Sequence, residues 1–525
     1  MDKDLKLTEE QRDIINCFDG DIAIEALAGT AKTTTLVEYA KAYPDKKFLY
    51  ACFNKSIQEE ADKKFPSNTI VKTINSIAHN HFFYEAGFDK KKFVPFIRKQ
   101  KIIEIFGVTG NRNNLRIAIK YVEHWFSLTT DGLPLNKENI LPFCENSKHI
   151  NLNIVLDLCN KIIQDRFSKD SLLGYDHNTY LKYFQVNKIE LSGFDYILFD
   201  ESQDSNPIMT EIIYNQPFYK IFVGDNHQAI YQFRGAKNEL NKFVNNCKNV
   251  FKLTQNFRFG NNLAELVSKY LNKYKGENKI LKGLHDEEVQ IFSTSSYLNS
   301  ETYKELNHLI QNSKISITKI YRTNGMFFYD VNKLLEEPQE IFFTVNGDIK
   351  KYKFDICLDI YYLKKREFSK IKGDIKKYKS FSELKNAIKD DDVDDDIVSI
   401  YNFVIHHDDL NMEEFIKEVE DKHKNGATQK NKITFSTAHV SKGLEWDIVI
   451  LSDDFLTHSR TKALKGKAGI ILKSRLEKLR NSYLSGTMND DDKDIYESEI
   501  NLLYVALTRA KKILIIPDQL YELLI

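Results

Sequence analysis

Short apolar runs rich in β-formers recur along the chain: DIAIEA, KKFLYACF, FDYILFDES and KIFVGD early, KITFSTAH, DIVILSDD and KILIIP late. Each is followed by loop signals or by apolar residues spaced three and four apart, the period of a helix. Near-continuous apolar strands alternating with helices predict parallel sheets covered on both faces. The early and late clusters predict two α/β domains of related build. Between them, RIAIKYVEHWFSL and NIVLDLCNKIIQDRF carry helical spacing. The expected organisation is therefore a first α/β domain from 1–82 and 168–256, with a helical insertion at 83–167. A second α/β domain follows from 257–335 and 428–525, with a small mixed insertion at 336–427. Within that insertion the acidic run Asp390–Asp396 is expected to be a solvated loop, because like charges repel and extend a segment.

Composition refines this only slightly. A chain of 525 residues is too long for one ordinary core. Lys plus Arg and Asp plus Glu both total 75, so no global basic field points to a nucleic-acid partner. The six cysteines are dispersed, without a CxxC pair or a metal-type cluster, and read as free thiols. With no signal pattern at the N-terminus, no apolar run long enough for a bilayer and a mean hydropathy of −0.44, cytoplasmic residence is expected and a membrane partner is not.

Chemistry enters at the first strand. IAIEA runs into Leu27-Ala28-Gly29-Thr30-Ala31-Lys32-Thr33-Thr34 and then a helical segment, a strand, loop and helix whose amides and helix N-terminus can cradle a triphosphate. Lys32 would reach the β- and γ-phosphates and Thr33 would ligate Mg²⁺. Ala26 and Ala31 stand where the pattern GxxxxGK[ST] has glycines, and read alone the loop also fits an ordinary strand-to-helix turn. If position 31 needs a positive φ, its Cβ costs on the order of 1 kcal/mol. The run ending in Asp200-Glu201-Ser202-Gln203-Asp204 puts carboxylates at the C-terminal end of an apolar strand, the edge where α/β sheets bind ligands. Asp200 can hold Mg²⁺, and Glu201 can orient and deprotonate the attacking water.

With these residues in place the chain resembles superfamily 1 helicases of the UvrD/Rep type, and more closely their F-box DNA helicase branch, from about Leu7 to Lys512. The resemblance implies two RecA-like parallel-sheet P-loop NTPase domains using ATP and Mg²⁺. Leu7-Thr8-Glu9-Glu10-Gln11 is similar to the family's adenine-reading motif, which implies that Gln11 reads the base. Gly224 to Ala236 resembles the motif that couples the two ligands, with Gln228 sensing the γ-phosphate and Tyr231, Phe233 and Arg234 facing DNA. Leu253 to Arg258 implies Phe257 stacked on adenine and Arg258 on the γ-phosphate. KITFSTAHVSKGLEWD implies Gly443 and Glu445 near nucleotide, with His439 and Lys442 toward DNA. NLLYVALTRAK implies Arg509 as a second arginine finger, so that hydrolysis depends on closure of a cleft.

Single-stranded nucleic acid needs faces for stacking and donors for phosphates. Phe53, Asn54 and Lys55 after the second strand, with Thr73 and Asn75, supply both types. Asn75 departs from the histidine common in the family. His177 and Lys182 in GYDHNTYLKYFQ are further candidate contacts. The implied function is an ATP-dependent single-stranded DNA translocase and 3′-to-5′ DNA helicase acting at single-strand/duplex junctions. The alternative is an ATP-gated DNA-binding subunit of a repair or phage-defence complex that unwinds little alone, its protein partners lying in that complex. An ATPase acting on non-nucleic substrates fits the aromatic and coupling motifs poorly. The resemblance is expected to concern the motor alone, since no F-box pattern precedes Gln11 and only thirteen residues follow Lys512.

Overall fold

The computed structural model describes residues 6–52, 55–97, 99–107, 112–130, 132, 135–144, 150–230, 240–284, 288–300, 315–336, 342–389, 393, 395–429, 432–456 and 473–525. They divide into two units, the first Met1–Leu27 with Ala31–Leu253, the second Ala28–Thr30 with Thr254–Ile525. The fold is α/β throughout, as expected, with each unit built on a parallel sheet.

In the first unit the strands are β1 (Ile22–Ala26), β2 (Phe48–Cys52), β3 (Thr69–Thr73), β4 (Tyr196–Phe199), β5 (Tyr219–Gly224) and β6 (Asn249–Leu253). They lie in the order β3-β2-β4-β5-β1-β6, every pair parallel. Alternation along each strand feeds two cores. Ile22, Ile24, Tyr50 and Leu198 pack on one face with Leu36 and Tyr39, while Ala23, Leu49, Ile197 and Phe222 pack on the other with Ile74 and Ile212. This two-sided burial is why the strands read as unbroken apolar runs.

The helical stretch at 83–167 supplies most of a core of its own. The helices Arg112–Ser127 and Leu152–Arg166 pack around Trp125, Val122, Val155 and Ile162. Arg166 is buried at its edge. Its guanidinium donates to the carboxylate of Asp176 and to Thr179 Oγ1 (2.6 Å), and lies 3.5 Å from the ring centroid of Phe126. Asp176 in turn caps the helix His177–Val186 by accepting from the Thr179 amide (2.9 Å).

The second unit contains a short parallel pair, β7 (Gln255–Gly260) and β8 (Lys282–Leu284). Its main sheet comprises β9 (Gln290–Ser293), β10 (Ile317–Tyr321), β11 (Phe343–Val345), β12 (Ile433–Thr437), β13 (Trp446–Leu451) and β14 (Ala510–Ile516), in the order β11-β12-β10-β13-β14-β9 and again all parallel.

Residues 336–427, expected as a small insertion domain, share one core with this sheet. Phe343 and Val345 of β11 belong to the stretch yet pair with β12. Cys357, Ile360, Phe403 and Phe415 pack in the same cluster as Tyr321 and Phe435 of the sheet. The helix Met412–Ala427 lies so close to β11 that a Cβ on Gly426 would sit 1.8 Å from the Phe343 carbonyl oxygen. His423 Nδ1 of this helix accepts from the Val345 amide (3.1 Å). The acidic run departs from expectation as well. Positions 390–392 and 394 lie outside the described residues, but Val393 is buried and Asp396 stands in the helix Asp395–His406. There Asp396 pairs with Lys353 (2.9 Å) and accepts from the Asn324 amide (2.9 Å), so its end of the run is a structural anchor. Among the described residues no helix is long and apolar enough to cross a membrane.

Candidate functional site

The loop after β1 turns sharply because two of its residues take left-handed backbone: Gly29 at φ 71° and Ala31 at φ 57°. Ala31 is the N-cap of the helix Lys32–Ala42 and gives it no side-chain cap, which leaves the first-turn amides of an eleven-residue helix available to an anion. The condition set by the sequence, a positive φ at an alanine, is met. Substituting Ala31→Gly is therefore expected to raise stability by about 1 kcal/mol, read from the denaturant midpoint, and to tighten nucleotide binding in a titration.

At the C-terminal end of β4, Asp200 is buried and receives two hydroxyls on its Oδ2, from Thr33 (2.7 Å) and from Tyr50 of β2 (2.8 Å). Burial, then the neighbouring Glu201, push its carboxyl above the usual range, while Lys32, Thr33 and Tyr50 act in the opposite sense. A hydroxyl and a carboxylate converging in a buried pocket form a donor set suited to a hard divalent cation, so Thr33 and Asp200 could hold Mg²⁺. Glu201 adopts left-handed backbone (φ 52°), an unfavourable conformation for a residue with a side chain. Its carboxylate lies 3.4 Å from Lys32 Nζ. Lys32, Thr33, Asp200 and Glu201 are thus brought together as the sequence predicts.

Gln228 follows β5 and is buried. Its Nε2 donates to Asp225 Oδ2 (2.6 Å), and Asp225 also receives the His227 amide (2.9 Å). Gln203 joins this loop to the catalytic candidates: its Oε1 accepts from the Asp225 amide (3.0 Å) and its Nε2 donates to Glu201 Oε2 (2.5 Å). In the second unit Arg258 and Glu445 form an ion pair (2.8 Å), and Arg258 also donates to the Thr508 carbonyl (3.0 Å). Phe257 is 44% exposed, which leaves a ring face free for stacking. Its amide donates to the carbonyl of Gly29 (2.8 Å), a residue grouped with the second unit, as is Ala28, whose carbonyl accepts from Asn256 Nδ2 (2.6 Å).

Residues 289–519 match the family profile of the UvrD-like helicase C-terminal domain, and residues 161–252 that of the UvrD/REP helicase N-terminal domain. The chain belongs to the UvrD-like helicase family. It is 30% identical over 548 aligned residues to F-box DNA helicase protein 1 of Schizosaccharomyces pombe, covering 98% of this chain and 58% of that protein. It is 29% identical to F-box DNA helicase 1 of Gallus gallus, over 99% of this chain and 50% of that protein. A probable DNA helicase II homolog of Mycoplasma genitalium is 25% identical over 65% of the chain and 52% of that protein. The chain thus spans about half the length of the curated relatives it matches.

Other residues of this member of the UvrD-like helicase family are placed differently from the simple expectation. Gln11 is buried and closes a capping box at the start of the helix Glu9–Asn16, its Oε1 accepting from the Thr8 amide (3.0 Å) and its Nε2 donating to Thr35 Oγ1 (3.0 Å). The same Thr-x-x-Gln spacing that resembles an adenine-reading motif is a helix start signal. Arg509 is buried, with its guanidinium donating to the carbonyls of Val505 (2.7 Å) and Leu444 (3.1 Å) and to Thr508 Oγ1 (2.9 Å), the residue whose carbonyl accepts from Arg258. Gly443 is exposed with left-handed backbone (φ 84°), and His439 and Lys442 are partly buried beside it.

Of the DNA-facing candidates, Phe53, Asn54, Tyr231, Phe233 and Arg234 lie outside the described residues. Lys55 is exposed at the head of the helix Lys55–Ala61. Thr73 is buried as the N-cap of the helix Ile74–Asn80, accepting from the Ser76 amide (3.0 Å), and Asn75 stands half-buried in its first turn. Lys182 is not a DNA contact: it is fully buried, with its ammonium on the Thr129 carbonyl (2.7 Å) and 4.1 Å from the Trp125 ring centroid. His177 is occupied by Tyr180 (2.5 Å). The sequence reading gave no role to Tyr50, Gln203, Asp225 or Asn256. A tyrosine hydroxyl inside an otherwise apolar strand beside the phosphate loop was the available signal for the first.

Proposed function

We propose that this chain hydrolyses ATP when bound to single-stranded DNA, moves 3′-to-5′ along the strand and separates duplexes at single-strand/duplex junctions. The observation that carries the reading is the convergence of Lys32 and Thr33, which follow β1, with Asp200 and Glu201, which follow β4. Lys32 and the loop amides from Ala28 to Thr34 bind the phosphates. Thr33 and Asp200 hold Mg²⁺, which when bound neutralises phosphate charge. Glu201 takes a proton from water as its oxygen bonds to the γ-phosphorus, the bond to the bridging oxygen breaks and ADP leaves. Gln228 senses the γ-phosphate, Phe257 and Gln11 hold adenine, and Arg258 and Arg509 stabilise the transferring phosphoryl group. Gly443 and Glu445 line the nucleotide. Lys55, Thr73, Asn75, His439 and Lys442, together with Phe53, Asn54, Tyr231, Phe233 and Arg234, form the DNA track. The names of the relatives, F-box DNA helicases, support this substrate class.

A strand-displacement assay on duplexes with a 3′ or a 5′ tail tests the proposal, with Lys32→Ala as control. Displacement of the 3′-tailed duplex alone is the expected result. DNA-stimulated hydrolysis without displacement of either duplex would support the ATP-gated subunit of a repair or defence complex instead. Hydrolysis indifferent to DNA would sink both readings.

A further inference from the structure

Resting on the ATPase reading, we propose that Gln203 is a positioning residue that holds the water-activating carboxylate of Glu201 and ties it to the phosphate-sensing loop around Gln228. Gln203 is 1% exposed and makes its bonds within the site. The Asp225 amide can only donate, so it takes the Gln203 carbonyl oxygen (3.0 Å), and this turns the amide nitrogen toward the carboxylates of Glu201 (2.5 Å) and Asp204 (3.5 Å). Asp225 in turn takes Nε2 of Gln228 (2.6 Å).

Glu201, Gln203, Asp225 and Gln228 therefore form one hydrogen-bonded series, in which Asp225 meets Gln203 through its backbone amide and Gln228 through its carboxylate. A shift of Gln228 against a bound phosphate moves Asp225, and the Asp225 amide carries Gln203 with it. Glu201 needs such a restraint, because its own backbone is left-handed (φ 52°). The fit around Gln203 is tight on the opposite side too. A Cβ on Gly224 would lie 2.3 Å from Gln203 Oε1 and 3.0 Å from Ser202 Oγ, so only glycine at the end of β5 lets the amide reach Asp225. Ser202 fixes the same turn by donating to the Val223 carbonyl (3.1 Å).

The test is steady-state ATP hydrolysis by the full chain with single-stranded DNA, comparing wild type, Gln203→Met, Glu201→Gln and the double variant. Gln203→Met keeps the length of the side chain and removes all three bonds. The expected result is a kcat lower by about ten- to a hundredfold with KM for ATP within about twofold, the loss of a hydrogen bond to a charged group. In the Glu201→Gln background Gln203→Met should change kcat by less than about twofold, because the two act through one carboxylate. Should circular dichroism show Gln203→Met unfolded, Gly224→Ala decides, since it displaces the amide without altering it and is expected to lower kcat by a similar factor. Wild-type kcat in the variant that folds, a rise in KM alone, or the full loss repeated in the Glu201→Gln background would overturn the inference alone. A wild type without DNA-stimulated hydrolysis would overturn it together with the ATPase reading.

Discussion

Glu201→Gln lowers kcat for DNA-stimulated ATP hydrolysis by about a hundred- to ten-thousandfold, the contribution of a positioned general base. The substitution keeps the shape of the side chain and its capacity to accept the Gln203 amide, but it cannot take a proton from water. It also removes the negative charge 3.4 Å from Lys32 Nζ. Lys32 then loses a competing partner and is freer to engage phosphate. Nucleotide affinity is therefore expected to stay the same or tighten while turnover collapses, the pattern of an interaction used only in the transition state. Steady-state hydrolysis with and without single-stranded DNA, beside a nucleotide titration, checks both halves. A variant that turns over at the wild-type rate would show that another group activates the water.

The second large effect is on stability. Arg166→Met is expected to destabilise the first unit by about 3–5 kcal/mol, because it strands a buried carboxylate. The side chain of Asp176 is 12% exposed, and its charge is met by the Arg166 guanidinium; Thr179 supplies only neutral hydrogen bonds. The methionine also gives up the stacking on Phe126. Urea denaturation of the variant measures the loss. Adding Asp176→Asn should recover part of it, since the neutral amide still caps the helix without a buried charge. A single variant as stable as wild type would mean that water reaches Asp176.

The parts of the fold that were legible in the sequence are those where burial on both faces leaves unbroken apolar runs. DIAIEA, FDYILFDES and DIVILSDD became β1, β4 and β13, all inside their sheets. The strands that escaped have physical reasons for doing so. β3, β6 and β9 are sheet edges with half-exposed positions, and their polar residues break the run. β10 is central, yet Thr318 interrupts it and is tolerated in the core because its hydroxyl donates to the Thr434 carbonyl (2.9 Å). In the candidate site, Lys32, Thr33, Asp200 and Glu201 were readable because each sits at a fixed offset from a strand end. Tyr50 and Gln203 were not, because they act on other side chains rather than through a spacing of their own. Lys182 misled for the opposite reason: a lysine reads as surface charge, and nothing local reveals the indole that covers it.

The close contact between Gly426 and Phe343 has a mechanical consequence. A strand of the sheet, the helix lying on it and the aromatic cluster beneath both are cut from one core, so the described residues of the stretch 336–427 are joined to the second sheet by packing. A push on the helix Met412–Ala427 meets β11 directly, with no room for even a methyl group between them. The described residues of the stretch are a fixed fin on that sheet rather than a swinging gate.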